Sequence, residues 1–357
     1  MSVTGKSDEA VKKPEVAFTL TTSRHFVGWL ASTGTSLAVT TYQSGKVILI
    51  GTNKETGRLS VFERSLERPM GVAFDGRRLA VSSIVQITTF VDAVNGEKVE
   101  GGYDSVFVPQ TATFTADLDV HDVAFAADSS LVFVNTLFSC LAAASATHSF
   151  KPIWRPRFVS RLAAEDRCHL NGLAMRDGRP AYVTCVGETD VADGWRDHRV
   201  GGGVVVDVAN DIVVCRGLSM PHSPRLHDGK LWVLNSGTGE FGTVDLAKGR
   251  FEPMTFCPGY LRGMAFIGNH ALVGLSEPRE NRTFAGLPLQ DRVAAEKVEP
   301  RCGVYVIDTR SGDIVHWLRI EGVVSELYDV VTLPNMLRPS MIGFRNQEIH
   351  RTVSFEQ

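Results

Sequence analysis

The chain has 357 residues, of which 43% are hydrophobic and 22% charged, and its formal net charge is −3. These values are typical of a folded globular protein. The net charge is slightly negative and no run of basic residues is present, so nothing indicates binding to a nucleic acid. No apolar stretch approaches the ~20 residues that span a bilayer, so we expect no association with membranes either.

Polar residues dominate the start of the chain. Residues 1–15 contain no apolar segment of the kind a signal peptide requires, so we expect a disordered tail there, a single domain over residues 16–357, and a cytoplasmic protein. The six cysteines include no Cys-x-x-Cys pair, and in a reducing compartment we expect them to be buried apolar side chains. They are Cys140, Cys168, Cys185, Cys215, Cys257 and Cys302.

One pattern recurs along the rest of the chain: a short apolar segment, a turn and a second apolar segment. Its copies begin near Gly28, Met70, His121, Asn171, His222, Arg262 and Tyr328, mostly about 50 residues apart. Asp-Gly pairs such as Asp177-Gly178 occupy several of the turns, and this dipeptide is a strong hairpin signal. A second hairpin follows most copies, which indicates four antiparallel strands in each unit.

Units of this length, with no helical periodicity, predict an all-β fold, a β-propeller of about seven four-stranded blades. The count is six if the first or the last unit is not a true blade. A strand from Val16 to Thr22 precedes the first unit, and the last unit is short after Phe344. We expect this N-terminal strand to pair with that last unit and close the ring, because closure removes the open edge.

The start of each unit is where chemistry is expected, because the first strand of every blade lines the central channel. His121, His169 and His222 fall at or near this position in adjacent units. Neutral imidazole is a common ligand of zinc, iron and copper, and three protein ligands leave a position open for catalysis. The sequence therefore predicts a divalent transition metal held by these three residues. The residues that could complete such a site are Asp119, Asp122, Asn171 and Glu326. As the alternative, these side chains line the channel and bond only to backbone and water.

Two long loops are predicted on the same face. One, from Glu188 to Arg199, carries Trp195 and Arg196, and the other, from Ser276 to Arg301, carries Arg279. As lids they would bring cations and an aromatic ring over the channel, which suits a carboxylate-bearing or peptide-like ligand. The predicted substrate contacts are Asn171, Trp195, Arg196, Asn235 and Arg279. The alternative is that both loops are merely solvated.

Three segments carry a resemblance to known proteins: MPHSPRLHDGKLWVLNSGTGE, EDRCHLNGLAMRDGRPAYVT and FVNTLFSCLA. They resemble a bacterial family of conserved hypothetical proteins, which occur alone or attached to tetratricopeptide repeats. The resemblance extends over nearly the whole chain and implies no activity. A looser similarity, to metal-binding propellers of the gluconolactonase and senescence-marker type, sets Leu170-Asn171-Gly172 and Pro221-His222-Ser223 at their ligand segments. Imidazole there implies a softer metal than calcium.

These observations favour a metal-dependent enzyme, a hydrolase, lyase or oxidoreductase that acts on a small or peptide-derived substrate at the channel mouth. Arg262 is expected to stabilise anionic charge, and Tyr328 or Glu326 to act as general acid or base. Similar residue types, three histidines with Tyr and Arg, serve the peptidyl-amidoglycolate lyases. One alternative is a non-catalytic propeller that holds a peptide or a protein partner on its loop face, since fold does not settle function. A scaffold without a pocket is the third possibility.

Overall fold

The computed structural model describes residues 18–94, 99–278, 285–345 and 347–353. In this part of the chain the strands form six sheets, which are the blades of a propeller. The innermost strand of every blade contacts those of the blades on either side, so the ring is closed. The all-β propeller prediction is confirmed. The predicted tail, residues 1–15, lies outside the described residues.

Blades 3, 4 and 5 are each built from four consecutive antiparallel strands, with the first strand innermost. Blade 3 contains β9 (Val120–Phe125), β10 (Leu131–Asn135), β11 (Cys140–Ala143) and β12 (Lys151–Trp154). Blade 4 contains β13 (Leu170–Arg176), β14 (Arg179–Cys185), β15 (Gly203–Asp207) and β16 (Ile212–Leu218). Blade 5 contains β17 (Pro221–His227), β18 (Lys230–Asn235), β19 (Glu240–Asp245) and β20 (Arg250–Phe256).

Blades 2 and 6 each carry a fifth strand at the outer edge. Blade 2 contains β5 (Val72–Phe74), β6 (Arg78–Ser82), β7 (Gln86–Asp92) and β8 (Ser105–Phe114), with β26 (Pro339–Met341) parallel to β8. Blade 6 contains β21 (Tyr260–Ile267), β22 (His270–Ser276), β23 (Gly303–Asp308) and β24 (Ile314–Gly322), with β1 (Phe18–Thr22) antiparallel to β24. These added strands cover edges that would otherwise be open to other chains.

Blade 1 combines the two ends of the chain. Its outer strands are β2 (Thr35–Thr40), β3 (Lys46–Asn53) and β4 (Arg58–Ser65), and its innermost strand is β25 (Asp329–Pro334). The first and the last sequence units are therefore two parts of one blade, and the blade count is six rather than seven. The predicted closure was wrong in detail: the N-terminal strand β1 pairs with β24, while β25 pairs with β2.

Two α-helices lie in the described residues, α1 (Phe26–Thr33) and α2 (Pro288–Glu296). The segment from Gly28 was predicted as a strand, but it belongs to α1. Phe26 and Leu30, one turn apart, are both fully buried, so the helix is held by packing of one face. Gly34, with φ of 66°, then ends it in the left-handed conformation that glycine accepts most readily. Neither helix is long and apolar enough to cross a membrane.

The middle strands of the blades are apolar on both faces because a neighbouring blade packs against each face. In β3 (KVILIGTN) six of the eight residues are buried, whereas none of the residues of the outer strand β4 is. The predicted hairpins are present: Asp177-Gly178 joins β13 to β14 and Asp228-Gly229 joins β17 to β18, with positive φ at all four residues. All six cysteines are buried and free.

The innermost strands alternate small and polar residues at one register position around the channel. In blade order from 1 to 6 these residues are Asp329, Gly71, Asp122, Gly172, Ser223 and Gly263. A Cβ on Gly71 would lie 2.9 Å from Cα of Asp122, and one on Gly263 would lie 2.6 Å from the backbone nitrogen of Val330. Glycine in every second blade therefore lets the backbones of adjacent blades approach closely.

A buried ion-pair network crosses the channel at this layer. Nη1 of Arg225 in blade 5 donates to Oδ2 of Asp122 in blade 3 at 2.8 Å, and its Nη2 lies 3.6 Å from Asp329 in blade 1. The same carboxylates accept backbone N–H bonds from Leu173 in blade 4 and Val72 in blade 2. Burial raises the pKa of Asp329 to about 7 against the opposing effect of Arg225. Five of the six blades are joined in this way.

Candidate active site

One residue from each blade lies at the start of the innermost strand, at the channel mouth. All six are more than nine-tenths buried. In blade order from 1 to 6 they are Tyr328, Met70, His121, Asn171, His222 and Arg262. The repeat aligned these same positions, so the register read from the sequence matches the register of the ring.

A cavity of about 200 Å³ opens at this mouth. Its described lining residues are Tyr42, Asp119, His121, Asp166, His169, Trp195, Arg196, Met220, Arg262 and Tyr328. Of the predicted site residues, seven are among them: Asp119, His121, His169, Trp195, Arg196, Arg262 and Tyr328. His222, Asn171, Asn235 and Glu326 are not among the described residues that line it. Arg279 lies outside the described residues, so its predicted substrate contact stays a prediction.

Each of the three predicted histidines is oriented through its Nδ1. His121 and His222 both donate Nδ1–H to the backbone carbonyl two residues upstream, at 2.8 and 2.9 Å. His169 donates Nδ1–H to Oδ2 of Asp166 at 2.8 Å. These assignments follow from the partners, since a carbonyl or carboxylate oxygen can only accept. In the neutral form of each ring Nε2 then carries the lone pair, which is the arrangement of a metal ligand or a general base.

Burial keeps two of these imidazoles neutral. It lowers the pKa of His121 to about 4, although the Asp119 carboxylate opposes the shift. It also lowers the pKa of His222 well below the usual value, with the charge of Arg262 acting in the same direction. The pKa of Asp119 is lowered as well: burial opposes this shift, but electrostatic interactions with His121, His169, Arg68 and Arg262 outweigh it. At neutral pH the mouth therefore holds neutral imidazoles beside an ionised carboxylate.

The placement of the histidines fits a metal centre only in part. The rings of His121 and His169 meet edge to face with centroids 4.8 Å apart. Nε2 of His222, however, lies 3.4 Å from the side-chain amide of Asn171. Across the described ranges no group of three or more His, Cys, Asp or Glu side chains is placed to hold a metal ion. The three-histidine centre thus stays a prediction. The imidazole nitrogens are suitable donor atoms, but His222 does not join His121 and His169 in one group of ligands.

Aromatic rings surround the cation on the other side of the cavity. The guanidinium of Arg262 lies 4.6 Å from the ring centroid of Tyr328 and 5.3 Å from that of Tyr260. Tyr42, from the loop between β2 and β3, stacks on Tyr328 with centroids 5.4 Å apart. Oε1 of Glu326 accepts the backbone N–H of the residue after Tyr42. Tyr328 and Tyr42 thus form a continuous aromatic wall.

The first predicted lid loop reaches the cavity. Its 3₁₀ turn, Gly194–His198, buries Trp195, and Arg196 lies 4.4 Å over the indole ring. The described end of the second long loop instead forms α2. Its Leu289 packs in one apolar cluster with Trp195, so the two loops support each other beside the site.

Two predicted substrate contacts serve the scaffold instead. Oδ1 of Asn171 accepts the hydroxyl hydrogen of Thr184 at 2.7 Å, and Oδ1 of Asn235 accepts the backbone N–H of Ser219 at 2.7 Å. Asp122, predicted as a further ligand, is occupied by Arg225. These side chains are anchored by partners of the chain, which explains why they do not line the cavity.

Tyr42, Asp166 and Met220 line the cavity but were not predicted from the sequence. Asp166 is largely buried, and its carboxylate is bound to His169. The structure shows an unusual backbone conformation three residues before the alternating Gly, Asp and Ser positions. There, in four consecutive blades, the backbone is left-handed at Arg68, Asp119, His169 and Met220. Such φ values are uncommon outside glycine and concentrate at functional sites.

Comparisons with known proteins place the chain by family and by fold. Residues 24–342 match a family model described as a domain of unknown function (DUF4915). No curated protein is detectably similar in sequence. One chain of a nidogen/laminin complex superposes with a TM-score of 0.52 at 13% identity, over 84% of this chain and 99% of that chain.

Two other solved structures are also similar. A protein of unknown function from Bacteroides caccae has a TM-score of 0.49 at 11% identity, over 84% of this chain and 98% of that one. A gluconolactonase from Xanthomonas campestris has a TM-score of 0.46 at 15% identity, over 80% of this chain and 86% of that one. At such identities the likeness to the nidogen/laminin chain supports the propeller fold alone, and the other two carry no argument about activity.

Proposed function

Because the chain belongs to the DUF4915 family, which is defined by a domain of unknown function, its activity has to be inferred from its site, and we propose that it is an enzyme. The proposed catalytic site is the cavity at the channel mouth, and the proposed substrate is a small or peptide-derived molecule. The observation that carries this proposal is the pair formed by His169 and Asp166, in which a carboxylate orients an imidazole against the cavity.

The proposed roles follow from the chemistry of each group. Asp166 holds His169 in the Nδ1–H tautomer and would stabilise the imidazolium formed when Nε2 takes a proton, so His169 is the proposed general base. His121 stays neutral and offers a second Nε2 beside it. Tyr328 is the proposed general acid, because its ring lines the cavity beside His121, 5.5 Å away between centroids. Arg262 is proposed to stabilise negative charge.

In its finer form the proposal is a metal-dependent hydrolase, lyase or oxidoreductase. In this form Nε2 of His169 is a metal ligand instead of the general base, and Tyr328 or Glu326 would act as general acid or base. His121 and His169 would hold a divalent transition metal, zinc, iron or copper, through Nε2, and His222 would be the third ligand after leaving the Asn171 amide. A bound metal would supply Lewis acidity. Asp166 supports this form too, since a carboxylate on the remote nitrogen is the usual companion of a metal-bound imidazole.

The first experiment measures the metal content of untagged protein. It compares wild type, the double variant His121→Ala/His169→Ala and the control His148→Ala, whose ring lies on the surface of blade 3. We expect about one Zn²⁺ per chain after reconstitution in wild type and in the control, and none in the double variant. Less than about 0.2 ion per chain in wild type contradicts the metal-dependent form.

The second experiment tests catalysis itself. Wild type and His169→Asn are incubated with a panel of small esters, lactones, amides and peptides, with and without a chelator, and products are followed by mass spectrometry. Turnover by wild type that His169→Asn lacks supports the proposal. A non-catalytic binding propeller instead captures ligand without forming product in both proteins, and that result contradicts an enzyme at this site.

A further inference from the structure

The cavity contains a buried cation whose charge the described chain leaves unpaired. Arg262 is 7% exposed and lines the cavity. The structure gives it no hydrogen bond or ion pair to any described residue, and its Nε is buried without an acceptor. A guanidinium taken out of water without an acceptor is strongly unfavourable. A group other than the described residues is therefore needed to satisfy it.

The other arginines near the channel are all paired. Arg225 bonds to Asp122, Arg68 to Asp117, and Arg196 to Asp193. Pairing is the rule even where the guanidinium is more exposed than that of Arg262. Among these four described arginines, Arg262 alone has no ion-pair partner.

The nearby acids are held elsewhere. Asp119 faces His121, with its Oδ2 3.7 Å from Nδ1, and Glu326 accepts the N–H of Gln43. Neither forms an ion pair with Arg262. The tyrosine rings stabilise the guanidinium by cation–π contact. They do not accept a hydrogen bond in its plane, where the N–H groups point, and those N–H groups match the two oxygens of a carboxylate.

We propose that Arg262 binds a carboxylate of the substrate, so that the substrate class is small carboxylic acids, including the C-terminal ends of peptides. The inference rests on the proposed function for the location of the substrate, since both use the same cavity. A singly charged planar anion suits the site better than a phosphate dianion. The described lining residues offer one unpaired guanidinium, and the carboxylates of Asp119 and Asp166 line the same cavity and would repel a second charge.

Calorimetric titration with N-acetylglycine, which mimics a peptide C-terminus, tests the proposal. The comparison ligands are N-acetylglycinamide, of the same shape without the charge, and inorganic phosphate. We expect the acid to bind and to shift the Arg262 Nε–H resonance in NMR spectra, with binding at least tenfold weaker for the amide and for phosphate. No binding of the acid at 20 mM, or equal affinity for the amide, overturns the proposal; tighter binding of phosphate overturns the choice of carboxylate.

Two variants separate recognition from folding. Arg262→Lys keeps the charge but loses the planar pair of N–H donors that matches the two carboxylate oxygens. We therefore expect at least tenfold weaker binding of N-acetylglycine. Arg262→Gln should abolish binding while leaving the Tm of the ligand-free protein unchanged or higher, because a buried unpaired charge is removed. Arg310→Gln, an exposed pair with Asp308 in the same blade, is the matched control and should bind as wild type does. Unchanged binding in both Arg262 variants overturns the proposal.

The proposal and the enzyme function can fail separately. His169→Asn is expected to remove turnover while keeping the affinity for N-acetylglycine within about threefold. If N-acetylglycine binding depends on Arg262 but no member of the substrate panel is turned over, the enzyme function is refuted and the carboxylate site is not. If acids and their neutral amides are turned over equally well, the carboxylate site is refuted and the enzyme function is not.

Discussion

The imidazole of His169 stacks on the indole of Trp195, with ring centroids 4.1 Å apart and 28° between the ring planes. The indole covers one face of the imidazole, and Asp166 holds its Nδ1. The ring is therefore constrained to one orientation, even though it belongs to a turn with an unusual backbone. A group arranged in this way is prepared to bind or to react without first being ordered.

Replacing Asp166 by Asn should lower turnover about 10- to 100-fold, or metal affinity by a similar factor. The amide keeps the size of the side chain but removes the charge that favours the Nδ1–H tautomer of His169. Steady-state kinetics and metal titration measure the two effects. Asp128→Asn, in an exposed hairpin of blade 3, is the control and should change neither. A rate within twofold of wild type in Asp166→Asn argues that the carboxylate is only structural.

His121 should make the protein less stable as the pH falls. Its pKa is about 4 in the folded state, below its value near 6.5 in the unfolded chain, so the unfolded state binds more protons between these values. The stability is complete above pH 6.5 and is lost as the pH falls through 4. Between pH 7 and pH 5 we expect wild type to lose about 2 kcal/mol more than His121→Asn. Urea denaturation at the two pH values measures this difference, and equal losses would refute a buried neutral imidazole.

Arg225 should be essential to the stability of the ring. Its replacement by Met leaves the buried Asp122 and Asp329 carboxylates without a counter-charge, and breaking such a network costs about 3–5 kcal/mol. Denaturant unfolding at pH 8, above the pKa of about 7 of Asp329, measures the cost. Arg310→Met removes a solvent-screened surface pair and should cost far less than Arg225→Met. Adding Asp329→Asn to Arg225→Met should restore part of the loss, and no recovery would contradict the shared network.

Two glycine-to-alanine changes should have opposite effects. Gly263→Ala places a Cβ 2.6 Å from the backbone of blade 1 at φ of 79°, which should cost about 1–3 kcal/mol. Gly28→Ala lies inside α1, where a Cβ meets nothing within 4 Å, and should stabilise by about 0.5–1 kcal/mol. Thermal unfolding of the two variants gives the comparison. Similar effects in both would show that close approach of the blades does not govern the channel.

The repeat predicted the fold and most of the channel mouth, because blades of equal length bring equivalent positions to the same height. His121, Arg262 and Tyr328 were identified from this register alone. The blade count was less certain, since blade 1 is assembled from segments that lie at opposite ends of the sequence and α1 fills part of the first unit. Asp166 could not be identified in the same way. Its carboxylate reaches His169 only because both residues have left-handed backbones, and no apolar pattern encodes that.

Because β25 pairs with β2, blade 1 can be completed only after the C-terminal part of the ring has been synthesised. Folding during synthesis proceeds from the N-terminus, so blades 2 to 5 can form while β2 still lacks its inner neighbour. Tyr42 is synthesised long before Tyr328, so the two rings can stack only after the innermost strand of blade 1, β25, is available. A chain cut before β25 therefore keeps the strands β2 to β4 but lacks the aromatic wall of Tyr42 and Tyr328, and the inner edge of β2 is left unpaired.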